Sequence, residues 1–267
     1  MIGFPFAAAA LCLATGVVLK GSSANQTLFL AINARSSDFP APFWAGMTNL
    51  GSTLAAAALL LAFAWCSRQP LRLAALALLP TTLFVHGLKR LINEPRPVAV
   101  LDPDLFVVID KSLRSGAFPS GHTATAVVVT SAIITTLWPL TRTRPLLAWA
   151  GIAAATLYTL LVALSRIAVG AHWPSDLLAG CGAGLAGMTA AIWLARQIPP
   201  SALVRADRWF LLAAVVATLA LPIDRGLYPS GMASVWGVVA AALIGGALAL
   251  WKAWRETPPL AAPSTIK

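Results

Sequence analysis

The chain has 267 residues, of which 58% are hydrophobic and only 10% charged, and its mean hydropathy is +0.79. A globular chain carries roughly 25% charged residues, so this composition excludes a soluble domain, a disordered chain and a disulfide-rich secreted module. The net charge of +10 comes without any Lys/Arg block, which argues against nucleic acid and for positive-inside topology together with an anionic substrate.

Crossing a bilayer takes about 20 largely apolar residues. Eight segments qualify: 3–20, 47–66, 71–91, 121–140, 145–166, 174–195, 209–223 and 232–254. The first could pass for a signal peptide, with Ser22-Ser23-Ala24 as a cleavage site, but it lacks a basic leading region and is read as a retained span. The seventh is short and ends at Pro222. Pro258, Pro259 and Pro263 make 257–267 a frayed tail. The expected fold is therefore all-α, a polytopic membrane helix bundle.

Orientation follows from the short loops. With the N-terminus inside, Arg68, Arg72, Arg142, Arg144, Arg196, Arg205, Arg208, Lys252, Arg255 and Lys267 all fall on the cytoplasmic side, opposed only by Asp207 and Glu256. The gaps 21–46, 92–120 and 167–173 then face outward together, and both termini lie in the cytoplasm. Cys12, Cys66 and Cys181 sit in apolar runs without CxxC spacing and read as small core residues. Trp44, Trp138 and Trp173 fit interfacial anchoring.

A charge at the centre of a span costs about 2.5–3.5 kcal/mol on insertion scales, so charges kept near the spans are functional candidates. Three stretches hold most of them. In Lys89-Arg90-Leu91-Ile92-Asn93-Glu94-Pro95-Arg96-Pro97, a point-charge donor and a planar guanidinium fork suit phosphate, and Pro97 biases Arg96 toward extended backbone. Plain snorkelling would also account for the two cations. In Phe118-Pro119-Ser120-Gly121-His122-Thr123, Ser120 is a fitting N-cap, Gly121 admits a ligand close to the backbone, and the helix start offers amides to an anion beside His122. An ordinary capped helix start would look the same. The third stretch runs from Ser165-Arg166 to His172-Trp173-Pro174-Ser175-Asp176. Its His172 and Asp176, four apart, can share one side of the first helical turn, where a carboxylate fixes the imidazole tautomer.

All three stretches fall on one predicted face, and no His accompanies Asp102, Asp104 and Asp110 at metal-ligand spacing. Neither a metal nor a cofactor is expected. These groups suit metal-free phosphoryl transfer, with one histidine attacking and the other protonating the leaving oxygen.

Lys89-x6-Arg96-Pro97, Pro119-Ser120-Gly121-His122 and Ser165-Arg166-x5-His172-x3-Asp176 resemble, in order and spacing, the three-part signature of the type 2 phosphatidic acid phosphatase superfamily, which also contains the vanadium haloperoxidases. The resemblance covers about 45–195. It implies a six-helix membrane bundle with its site near the outer surface. Lys89, Arg96 and Arg166 would bind phosphate with Ser120 and Gly121; His172 would be the nucleophile, oriented by Asp176, and His122 the general acid. It further implies a phosphatase core over 1–200, with 201–256 as two additional transmembrane helices. Pro229-Ser230-Gly231 echoes the second motif, but Met232 replaces its histidine, so it reads as a loop and helix start. His86, one turn before Lys89, reads as an interhelical hydrogen-bonding residue.

The function expected is hydrolysis of a lipid phosphate or diphosphate at the outer leaflet of a bacterial inner membrane. Undecaprenyl diphosphate is slightly favoured over phosphatidylglycerol phosphate, phosphatidic acid and lipid A. A lipid phosphotransferase using the same phosphohistidine, and a non-catalytic transporter or scaffold, are the alternatives. Haloperoxidase activity fits poorly, since those relatives are soluble. The expected partners are membrane lipids and the lipid substrate, with no nucleic acid; the sequence leaves oligomeric state open.

Overall fold

The computed structural model describes residues 3–256 and contains helices and loops, with no strand among them. In chain order the helices are α1 (Gly3–Lys20), α2 (Ser23–Ala34), α3 (Ala41–Leu50), α4 (Thr53–Phe63), α5 (Gln69–Ile92), the single turn α6 (Pro97–Val100), α7 (Gly121–Leu137), α8 (Pro145–Ala168), α9 (Pro174–Gln197), α10 (Pro200–Ala220) and α11 (Met232–Glu256). The tail 257–267 lies outside the described residues.

Six helices are long and apolar enough to cross a membrane singly, and two bent pairs bring the total to as many as eight. Side chains such as Leu91, Leu146 and Ile223 stand more than four-fifths exposed, which suits a protein solvated by lipid. Internal backbone pairing within helices is the only open-ended way to satisfy peptide groups in that solvent.

Three expectations need correction. The gap 21–46 is not a plain connection but largely helical: α2 turns 96° from α1, and its polar residues Asn25 and Asn33 are buried and hydrogen-bonded. The span 47–66 is instead two helices, α3 and α4, bent by 76°. Both breaks fall at Gly-Ser pairs, Gly21-Ser22 and Gly51-Ser52, a common cause of sharp kinks. Ser52 caps α4 by accepting from the Ala55 amide at 3.2 Å. The seventh span also begins earlier than expected, at Pro200.

Small side chains let the helices approach closely. α9 carries Gly180, Gly182, Gly184 and Gly187 and packs against α1, α5 and α7. α10 and α11 pack on α4, so the last two helices are built onto the same bundle. At one end, Asp207 of α10 takes a bidentate pair from Arg72 of α5, with Arg68 3.6 Å away. The loops 93–120, 169–173 and 221–231 gather at the opposite end, linked by Ile109 N to Val169 O (3.4 Å) and by Asp110 to Ser230.

Candidate active site

The three polar stretches meet at that gathered end, around a cavity of about 460 Å3. Lys89, Arg96, Gly121, His122, Arg166 and His172 line it. Local backbone explains how residues so far apart in sequence converge. Asn93 ends α5 in a left-handed conformation (φ 42°) and Pro97 opens α6, leaving Arg96 extended (φ −83°, ψ 163°). Arg96 reaches across the site, donating from Nη1 to Ala171 O at 2.7 Å and from Nε to Ser115 O at 2.8 Å. Lys89 donates to the carbonyl of Gly116.

At the end of α8 the chain reverses at Gly170, whose φ of +76° and crowding by Val107 O at 2.8 Å from any added Cβ both demand glycine. The Arg166 carbonyl accepts from the amides of Ala171 and His172 at 3.0 and 3.1 Å. This tight cap brings Arg166 and His172 to the same cavity. Pro174 then starts α9 at a position where its missing N–H costs nothing.

His172 is 1% exposed. Its Nδ1 lies 3.0 Å from Asp176 Oδ2, which also accepts from the Trp173 amide at 2.8 Å. With Nδ1 donating to the carboxylate, Nε2 keeps its lone pair and accepts from Arg96 Nη1 at 3.2 Å. Burial first, then the positive charge of Arg96, Arg166 and Lys89, hold the imidazole well below its ordinary pKa. A neutral ring with an unprotonated, cavity-facing Nε2 is what a nucleophile requires.

Arg166 is the most telling group. It is 2% exposed, and its Nε and Nη1 have no hydrogen-bond partner. A buried guanidinium left with open donors is costly unless an anion completes it.

The remaining candidates are placed as follows. Ser120 is fully buried, accepts from Thr123 N at 3.4 Å and Thr123 Oγ1 at 3.0 Å, and donates its amide to Asp176 O at 2.9 Å. It caps α7, while Gly121 and His122 reach the cavity wall. The His122 ring makes no hydrogen bond among the described residues. His86 also lines the cavity and, contrary to the expected interhelical bond, makes none among the described residues. Trp44 and Trp173 are buried and donate to Ser36 O and Pro95 O, so they brace loops instead of anchoring at an interface. Trp138 is exposed, as an anchor would be, whereas Cys66 is exposed and not a core residue. Pro229–Gly231 forms a turn leading into α11.

Residues 70–200 match the PAP2 superfamily. The chain belongs to the PAP2 superfamily. Its fold is similar to that of Aquifex aeolicus LpxE, with 26% identity, a TM-score of 0.54, and coverage of 65% of this chain and 97% of that one. It is similar also to a transmembrane PAP2-type phosphatidylglycerolphosphate phosphatase from Bacillus subtilis, with 22% identity, a TM-score of 0.54, and coverage of 73% and 98%. No curated protein matches the chain.

Several groups at this PAP2 site lay outside the sequence reading. Lys111, Arg225, Gly226 and Tyr228 line the cavity beside the motif residues. Asn49 holds both backbone groups of Tyr228, accepting from its N–H at 2.7 Å and donating to its carbonyl at 2.9 Å. Asp224 and Arg225, charges set between two apolar spans, were the available signal for this loop.

Proposed function

We propose that the chain is a metal-independent phosphatase that hydrolyses a lipid phosphate or diphosphate through a phosphohistidine at His172. The observation that carries the lipid part is an apolar slot of about 250 Å3 between α4, α5, α7 and α10. Thr53, Thr81, Thr82 and Thr125 line both the slot and the cationic cavity. A phosphate among the cations thus leaves its hydrocarbon chain a path along Leu60, Ala74, Leu78 and Phe210.

In this reading Lys89, Arg96 and Arg166, with the first amides of α7 at Gly121 and the Ser120 cap behind them, hold the phosphoryl oxygens and stabilise their charge in the transition state. His172 Nε2 attacks phosphorus and the bond to the leaving oxygen breaks. That oxygen takes a proton from His122. Asp176 keeps Nδ1–H in place and stabilises the cationic phosphoimidazole. Water, deprotonated by His122, then attacks phosphorus, releasing phosphate and restoring His172. The contact between Arg96 and His172 Nε2 must open as the phosphoryl group enters between them.

The gathered loops are assigned to the outer face of a bacterial inner membrane, with both termini cytoplasmic, on the loop-charge asymmetry. Residues 1–200 are taken as the phosphatase core and 201–256 as two added helices. The test is phosphate release by purified protein in EDTA from undecaprenyl diphosphate (first choice on family prevalence), phosphatidylglycerol phosphate, phosphatidic acid and lipid A, with His172→Ala alongside. Release by the parent and at least a thousandfold loss in the variant are expected. Equal rates would remove His172 as nucleophile.

A further inference from the structure

Of the cations around the cavity, three are accounted for by a single phosphate, and two are not. Lys111, from the loop after α6, and Arg225, from the loop joining α10 to α11, line the same cavity as Lys89, Arg96 and Arg166. Tyr228 stands between the two groups: Arg166 Cζ and Lys111 Nζ each lie 5.5 Å from the centre of its ring. The Tyr228 hydroxyl is buried without a hydrogen-bond partner, in a residue only 1% exposed.

Resting on the phosphatase reading above, we propose that the α10–α11 loop completes the site with a second anion subsite. There Lys111, Arg225 and the Tyr228 hydroxyl take a second phosphate of the lipid headgroup, beyond the one held by Lys89, Arg96 and Arg166. The preferred substrates are lipids whose headgroup carries two phosphates.

Among the described residues neither extra cation is held in an ion pair, although Asp224 and Asp110 lie near enough to Lys111 to act on it. Those two acids direct their hydrogen bonds elsewhere. Asp110 Oδ2 accepts from the amide and hydroxyl of Ser230 at 3.0 and 2.7 Å, and Asp224 Oδ1 accepts from the Gly226 amide at 2.7 Å. Lys111 instead donates to the Arg225 carbonyl at 2.7 Å, which ties the two together. Partial burial, with a smaller push from Arg166, lowers the Lys111 ammonium from its ordinary pKa against the pull of Asp224 and Asp110.

The position is also built. Asn49 clamps both backbone groups of Tyr228. Gly231 lies so close to α3 that an added Cβ would sit 2.4 Å from Ala45 C and Gly46 N. A loop fixed this firmly over a cavity, presenting two cations and an unmet hydroxyl, does more than join two helices. Arg225 and Tyr228 also lie beyond the segment that matches the family, which ends at residue 200. The added helices thus have a role at the site.

The second phosphate could be joined directly to the first or carried on a separate carbon. Isothermal titration of the full-length protein in detergent with methylphosphonate, methylenediphosphonate and propane-1,3-diphosphonate separates these, because none is hydrolysed. One diphosphonate should bind the parent at least tenfold more tightly than methylphosphonate, and which one identifies the arrangement. Arg225→Gln and Lys111→Met should each remove most of that advantage, with methylphosphonate affinity moving twofold or less, and Arg225→Lys should recover part of it. Thermal melts confirm that the variants are folded. No diphosphonate advantage in the parent, or one that survives both substitutions, overturns the subsite. Since binding is read directly, a parent that releases phosphate from no lipid would defeat the phosphatase reading while leaving this test intact.

Discussion

His172 Nδ1 lies 3.0 Å from Asp176 Oδ2, and that oxygen is fixed from the other side by the Trp173 amide at 2.8 Å. The carboxylate cannot rotate away without losing a backbone hydrogen bond, so the imidazole keeps one tautomer with Nε2 toward the cavity. Asp176→Asn substitutes an amide that can donate to Nδ1 and stabilise the opposite tautomer. We expect kcat to fall by about 10^2–10^4-fold with KM changed much less, measured as phosphate release from a long-chain lipid phosphate. An unchanged kcat would mean Asp176 has only a structural role.

The buried, cation-surrounded setting of His172 also predicts a pH response. Its folded-state pKa lies well below the ordinary imidazole value near 6.5, so the ring stays neutral as pH falls from 8 through 6.5. An unfolded chain would take up the proton first, so the contribution of His172 to stability declines as pH drops below about 6.5. Nitrogen-15 NMR of labelled histidine should show one ring in the Nδ1–H tautomer from pH 8 to 6, absent in His172→Ala. A ring titrating near 6.5 would contradict the assignment.

The three polar stretches were legible because charge in an apolar chain is conspicuous: Lys89, Arg96 and Arg166, like His122 and His172, stand out beside spans. Arg225 and Tyr228 share the same cavity but were not legible, because no spacing rule says which distant loop folds back over a site. Asn25, Asn33 and Asn49 were missed for another reason. An amide lowers the local hydropathy and so resembles a loop, whereas here each one pairs with buried groups of another segment. The kinks at Gly21-Ser22 and Gly51-Ser52 escaped notice because composition alone does not distinguish one straight span from two bent helices.

The apolar slot makes its own prediction. Ala213 on α10 lines it and is exposed, so a larger side chain there can fill the slot without displacing the core. Ala213→Phe should raise KM for a long-chain lipid phosphate about tenfold, while a short water-soluble phosphate ester is turned over as before. Equal effects on both substrates would show that the slot does not hold the chain.

At the far end of the bundle, Asp207 is 4% exposed and receives both Arg72 and Arg68. It ties α10 to α5. Asp207→Ala leaves two guanidinium groups around an empty acid position, and removing one partner of a buried pair is costly. Because the Arg72 side chain is a quarter exposed, water screens part of that cost, and a loss of about 2 kcal/mol is expected. A lowered thermal transition in detergent, with phosphate release per folded molecule little changed, would confirm a tether remote from the chemistry.

Asn49 should behave differently from Asp207, although both hold the C-terminal pair of helices to the bundle. Its amide satisfies the N–H and the carbonyl of Tyr228 at once, and it is 1% exposed. Asn49→Leu keeps the volume but leaves two buried backbone groups unpaired, a cost of about 2–4 kcal/mol. It would also release the segment that carries Arg225 toward the cavity. The expected result joins a lower thermal transition to a selective loss of diphosphonate binding, measured below the transition, with methylphosphonate binding retained. If stability falls and both ligands weaken alike, Asn49 supports the whole site rather than the loop that Tyr228 anchors.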